Sequence, residues 1–195
     1  LHVRSRRQRQ MCIRDSMCRE DELKNVLASL NRAPGLVITD SQVFADVDKI
    51  VPENLLLTSF SILFARYKGD LGQTCRGVKA LKTLEDGDRI LISEGCTHHR
   101  QCGDIGTEKL PAWIREFTGK EPEFVFTSGT EFPEDLSGFH LIIHCGGCML
   151  NEREMKYRLR MAVDQNIPMT NYGVAIAYMT GILERSVRPF ITLIS

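Results

Sequence analysis

From residue 36 onward the chain alternates short apolar runs with stretches whose apolar residues return every three to four positions. Leu36-Val37-Ile38-Thr39 has the composition of a strand. Val43, Phe44, Val47 and Ile50 then share one helical face, with Asp40 or Ser41 placed to cap that helix and Pro52 to end it. Leu55 to Leu57 reads as a second strand and Thr58 or Ser59 as the next cap. Phe60, Leu63, Phe64 and Tyr67 repeat at i, i+3, i+4 and i+7, an amphipathic helix closed by Lys68-Gly69-Asp70. Two strands make too small a sheet to stand alone, so this module is expected to borrow strands from a second copy of the chain.

Val78, Leu81 and Leu84 suggest a connecting helix, and Glu85-Asp86-Gly87-Asp88 is a turn before a strand at Arg89 to Ser93. A helix with Leu110, Trp113, Ile114 and Phe117 on one stripe follows, then strands at Glu123–Thr127 and Phe139–Ile143. Asn151 with Glu154 resembles a capping box, opening a helix predicted to bury Met155, Leu159, Ala162 and Val163. Pro168–Thr170 is a short strand, and Val174 to Leu183 is apolar nearly all round, as in a helix buried against a sheet. The fold class is α/β: a small βαβ module followed by a doubly wound, mostly parallel sheet. The expected domains are residues 20–84, with 72–84 as the connecting helix, and residues 85–195.

Residues 1–19 break the pattern. They carry six arginines against one acid and no apolar periodicity, so they are set aside as non-native or disordered. Over the 195 residues the charges balance at 25 acidic and 25 basic, which gives no field to draw in nucleic acid or an anionic membrane. No apolar stretch approaches the ~20 residues of a membrane span. Arg153, Lys156, Arg158 and Arg160 spread around one helix and read as a solvated face. Neither a phosphate-binding loop nor a dinucleotide or nucleophile-elbow motif occurs. Seven cysteines without an apolar signal segment point to a reducing compartment, the cytoplasm by default, where thiols bind metal or react.

The chemistry concentrates in Cys96-Thr97-His98-His99 and His144-Cys145-Gly146-Gly147-Cys148, each directly after a predicted strand. In a parallel sheet those strand ends share one edge, so two loops distant in sequence meet. Gly146 and Gly147 remove bulk between two ligands, and the next helix N-terminus favours negative charge. Cys96, Cys145 and Cys148 are therefore expected to hold an iron–sulfur cluster. His98 or His144 would be the fourth ligand, with Asp104 and Glu108 as carboxylate alternatives. A Cys₃His zinc site uses the same residues, and a redox dithiol at Cys145–Cys148 has the right spacing. Cys75 and Cys102 read as plain thiols, Cys12 and Cys18 as bystanders, and His140 as a surface residue.

ISEGCTHHRQCGDIGTEKLPAWI, LIIHCGGCMLNEREM and PMTNYGVAIAYMTGIL resemble the C-terminal half of HydF, the maturation GTPase of [FeFe]-hydrogenase. VITDSQVF and LTSFSILFARYKGDL resemble the same family's dimerisation domain. The resemblance implies a [4Fe-4S] cluster on Cys96, Cys145 and Cys148 with His98 and His144 nearby, and assembly into a homodimer or tetramer. It also implies a carrier that takes a diiron precursor from radical-SAM maturation enzymes and delivers it to apo-[FeFe]-hydrogenase. The family's N-terminal GTPase domain has no counterpart here, so the chain is expected to be a non-catalytic fragment. An enzyme using zinc-bound water or a Cys145 nucleophile is the reading from another class.

Overall fold

The structure, a computed structural model of the chain, describes residues 15–95 and 104–193. Residues 15–22 are exposed and without regular structure, up to a short helix α1 (Leu23–Ser29). Residues 1–14, and with them most of the segment set aside above, lie outside the described residues.

The first module has strands β1 (Val37–Thr39) and β2 (Leu57–Ser59), with helix α2 (Phe44–Ile50) between them and helix α3 (Phe60–Lys68) after them. The strands pair in parallel, Ile38 opposite Thr58. Ser59 caps α3, its Oγ accepting from the Ile62 amide at 3.4 Å. At α2 the expected cap differs, because Val43 holds the N-cap position. Asp40 instead accepts from the Gln42 amide in a local turn, and the Ser41 hydroxyl bonds that of Ser61 across the module.

The stripe expected to bury α3 is also revised. Ile62 and Ala65 are the buried residues, whereas Phe60 is 53% and Tyr67 75% exposed. Two apolar stripes coexist on this helix, and periodicity alone does not say which one meets the chain's own core. Asp70 caps α4 (Leu71–Gly77), and a 3-10 segment (Val78–Thr83) completes the connection.

The second sheet has the order β4-β3-β5-β6, all parallel, from β3 (Arg89–Glu94), β4 (Glu123–Ser128), β5 (Leu141–His144) and β6 (Met169–Asn171). Ile90, Leu91 and Ile92 of β3 and all of β5 are buried, as continuous apolar runs covered on both faces must be. Alternate residues serve opposite layers. Ile90, Ile92, Leu141 and Ile143 pack with α5 (Leu110–Thr118) and α7 (Tyr172–Met179), while Leu91 and Ile142 pack with α6 (Glu152–Asp164). The chain is thus doubly wound, as its alternation predicts. A π-helical turn (Ile105–Lys109) leads into α5, and α8 (Leu183–Val187) runs into a closing 3-10 segment (Arg188–Leu193).

The small sheet does not stand alone. Phe44, Val47, Leu57 and Ile62 share one continuous core with Ile90, Ile143 and Val174 of the second half. A polar fastening adds to it: Arg185 of α8, 8% exposed, donates to Asp48 Oδ1 at 2.6 Å and to the carbonyls of Val51 at 2.8 Å and Pro52 at 2.7 Å. Arg185→Ala would strand those acceptors. It should lower unfolding free energy by about 2–4 kcal/mol in a denaturant melt, and a loss below about 0.5 kcal/mol would contradict this role.

Candidate functional site

The C-terminal ends of three strands define one edge of the larger sheet. Ser93 pairs with His144, and His144 with Asn171. The Cys145 amide still donates to the Ser93 carbonyl at 2.9 Å, so the chain follows β3 for one residue more before turning away. The turn brings two amides onto the Cys145 sulfur, from Gly95 at 3.1 Å and from Gly147 at 3.4 Å. Gly147 has φ +67°, a left-handed conformation that favours glycine, and a Cβ there would also press on the flexible Met155 side chain, 2.8 Å from its sulfur. Cys145 is half-buried and Cys148 exposed, both as free thiols. Burial pushes the Cys145 thiol above its ordinary range, and the two amides oppose that shift.

The end of the loop is anchored by Asn151, whose side chain accepts from the Glu154 amide at 2.8 Å and caps α6. A cavity of about 20 Å³ behind the loop, lined in part by Phe64, His144 and Thr170, is large enough for one water and no substrate. Of the two thiols of the loop, that of Cys148 is the exposed one.

His144 is placed otherwise than expected of a fourth ligand. It is the last residue of β5, is fully buried, and has both ring nitrogens engaged. Nδ1 lies 2.8 Å from the Cys145 carbonyl and Nε2 lies 3.1 Å from Arg158 Nη1. A guanidinium only donates and a carbonyl only accepts, so the ring is the neutral Nδ1–H tautomer. Burial, with the Arg158 charge adding, lowers its pKa to about 4, and the bond to the Cys145 carbonyl partly offsets this. The imidazole thus braces the loop from inside and has no nitrogen left for a metal.

Arg158 corrects the reading of its helix as a solvated face, for it is 0% exposed. It donates to Glu154 at 2.8 Å, to the Gly129 carbonyl at 2.9 Å and to Ser93 at 3.3 Å, and its guanidinium lies 5.0 Å from the Phe132 ring centre. Val163, expected inside, is 51% exposed. A second polar group, missed in the sequence, lies at the same edge: the Tyr172 hydroxyl donates to Glu94 at 3.1 Å, and burial, with Glu94 beside it, raises its pKa. Its only sequence trace is position: Glu94 ends β3 and Tyr172 directly follows β6, each just before a glycine.

Cys96, His98, His99 and Cys102 lie outside the described residues. Among the described residues no cluster of three or more His, Cys, Asp or Glu gathers at metal-binding distance. Asp104 is engaged as a cap, accepting from the Thr107 amide at 3.0 Å and hydroxyl at 2.9 Å. His140 lies apart from the loop, beside Asp88 at 3.3 Å. Cys75 packs against the core and Cys18 is exposed. No helix among the described residues is long and apolar enough to cross a membrane.

Fold and loop together define an α/β protein that presents a Cys-x-x-Cys turn at the C-terminal edge of a parallel sheet, with a second small module packed behind it. Residues 72–189, more than half of the chain, match the family model of the hydrogen maturase F tetramerization domain, and residues 7–69 match that of the hydrogen maturase F dimerization domain. The chain belongs to the hydrogen maturase F family, and so to hydrogenase maturation. A comparison with curated proteins returned no match. Both matched domains are oligomerisation domains, so self-association belongs to the chain even though its small sheet is already supported from within.

Two outcomes follow. Arg158→Leu leaves the His144 ring and the Gly129 carbonyl without their donor, and should cost about 3 kcal/mol in a denaturant melt; unchanged stability would contradict the bracing role. Phe60→Glu places a charge on an exposed ring of the dimerization segment and should lower the molar mass found by light scattering while the melt stays near wild type.

Proposed function

We propose that the chain is a [4Fe-4S] cluster carrier. It would receive a diiron precursor from partner maturation enzymes and pass it to apo-[FeFe]-hydrogenase. One observation carries the reading: Gly95, the residue immediately before Cys96, donates its amide to the sulfur of Cys145. The chain therefore enters the Cys96 loop within hydrogen-bond distance of the second thiol, and Cys148 follows three residues after that thiol.

The donor set fits such a group. Sulfur with two backbone amides aimed at it is the environment in which a thiolate on iron is stabilised. The half-buried Cys145 would be the inner ligand and exposed Cys148 an outer one, with Cys96 as the third. Bound by three thiolates, the cluster would supply one iron with a replaceable ligand, where a cyanide-bearing diiron cargo could attach. The chain's own work is to hold, orient and shield: Gly95 and Gly147 direct amides to sulfur, and His144 and Arg158 fix the turn from behind. His98 remains the candidate among the histidines for the fourth position. The role is carriage without turnover, in a reducing cytoplasm where these thiols stay unpaired.

Anaerobic reconstitution should give about one four-iron cluster per chain. Cys145→Ala and Cys148→Ala should each abolish it, and His98→Ala should keep the iron but shift the resonance of the reduced cluster. His144→Ala should act chiefly on stability. Stoichiometric zinc without iron uptake, or a full cluster in Cys148→Ala, would overturn the reading.

A further inference from the structure

One side chain of the first matched segment reaches the thiol turn of the second. Lys68, the last residue of α3, reaches across to the Cys145–Cys148 turn, and its Nζ lies 3.1 Å from the Gly147 carbonyl, 2.9 Å from that of Cys148 and 2.8 Å from that of Leu150. An ammonium has three protons, and three carbonyls of one turn take them. The ammonium also lies 5.0 Å from the centre of the Phe64 ring, within cation–π range. Among the described residues no carboxylate forms an ion pair with it, so its charge is turned wholly onto the turn that carries two of the thiols.

We propose that Lys68 is a positioning residue for this turn: the dimerization segment, through one ammonium, sets the shape of the thiol loop and the charge beside it. The inference rests on the cluster reading above for its effect on iron, but the clamp itself does not. Three carbonyls within four residues, those of Gly147, Cys148 and Leu150, point at one cation, and the backbone between them curls around it. That curl fixes the path of Cys148, whose side chain is exposed. A positive charge next to the ligands also favours the more negative, reduced state of a bound cluster. Lysine suits the place because its compact head can serve three acceptors from one point, which a planar guanidinium cannot.

The test compares wild type with Lys68→Met, which keeps the length and apolar stem, and Lys68→Gln, which keeps a donor without charge. In cluster-free protein, the amides of residues 146–151 should exchange with solvent faster in both variants, and iodoacetamide should alkylate Cys148 faster when compared at a pH where the thiol is ionised in every variant, while exchange in β3 and β5 stays as in wild type. In reconstituted protein, cluster loss to an iron chelator should quicken by about 10- to 100-fold, and the reduction potential should fall. Should Lys68→Met fail to fold, Lys68→Gln carries the same comparison. Loop exchange and alkylation unchanged from wild type would overturn the clamp, whatever the iron does. A wild type that takes up no iron would instead sink the cluster reading, and the exchange and alkylation results would still decide the clamp.

Discussion

The close seating of α3 against the C-terminal edge of the four-stranded sheet is the contact on which the rest depends. It is a contact without side-chain bulk. A Cβ on Gly173 would lie 2.5 Å from the Ser61 Cβ, 2.9 Å from the Ser41 hydroxyl and 3.0 Å from the Ser59 hydroxyl, and one on Gly146 would press on Ser61 at 3.2 Å. Asn171 adds a hydrogen bond of 2.9 Å from its amide to the Ser61 carbonyl while its oxygen caps α7 through the Val174 amide. Small residues on both sides let the backbones approach, and the approach lets Lys68 reach the thiol turn. A larger residue at Gly173 would push α3 away and undo the shared core and the loop's support together.

The thiol turn is held by groups from several elements. His144 and Arg158 support it from the sheet side, the Gly95 amide from the neighbouring strand, and Lys68 from the other module. His144, Gly95 and Lys68 act on the backbone or the sulfur of the loop, and Arg158 acts through the His144 ring. This leaves Cys148 exposed at the front of the loop, as the proposed carrier role requires. Rigidity behind and access in front is what a transfer site needs.

Much of the architecture was legible in the chain, because strands buried on both faces must be continuous apolar runs and the helices between them must carry stripes. The order of the strands and of the main helices between them followed from that, and so did the placing of Cys145 and Cys148 just beyond a strand, whereas α1 and the break between α7 and α8 did not. What the sequence could not disclose was set by distant partners. The face of α3 depended on which of two stripes met the core. Arg158 sits in a run of basic residues that otherwise face water, and only the buried His144, Glu154 and Gly129 carbonyl around it make it an interior group. His144 looked like a ligand because it adjoins a cysteine, but one further residue of strand pairing carried it into the sheet. Lys68 appeared as a helix terminator, since nothing local tells a lysine at a helix end that its acceptors lie about 80 residues away.

Arg185 closes the molecule in a way that bears on its synthesis. Its acceptors at Asp48, Val51 and Pro52 leave the ribosome more than 130 residues earlier, and the first module also relies on core from strands made after it. That module therefore waits as an incomplete unit while the rest of the chain is translated, with its apolar surface uncovered. Chains from neighbouring ribosomes on one message would be exposed to each other in that state, and contacts of such long sequence separation are slow to form. Nascent-chain association is then a built-in competitor of correct folding, and a chaperone that shields residues 37–68 until α8 emerges would raise the yield.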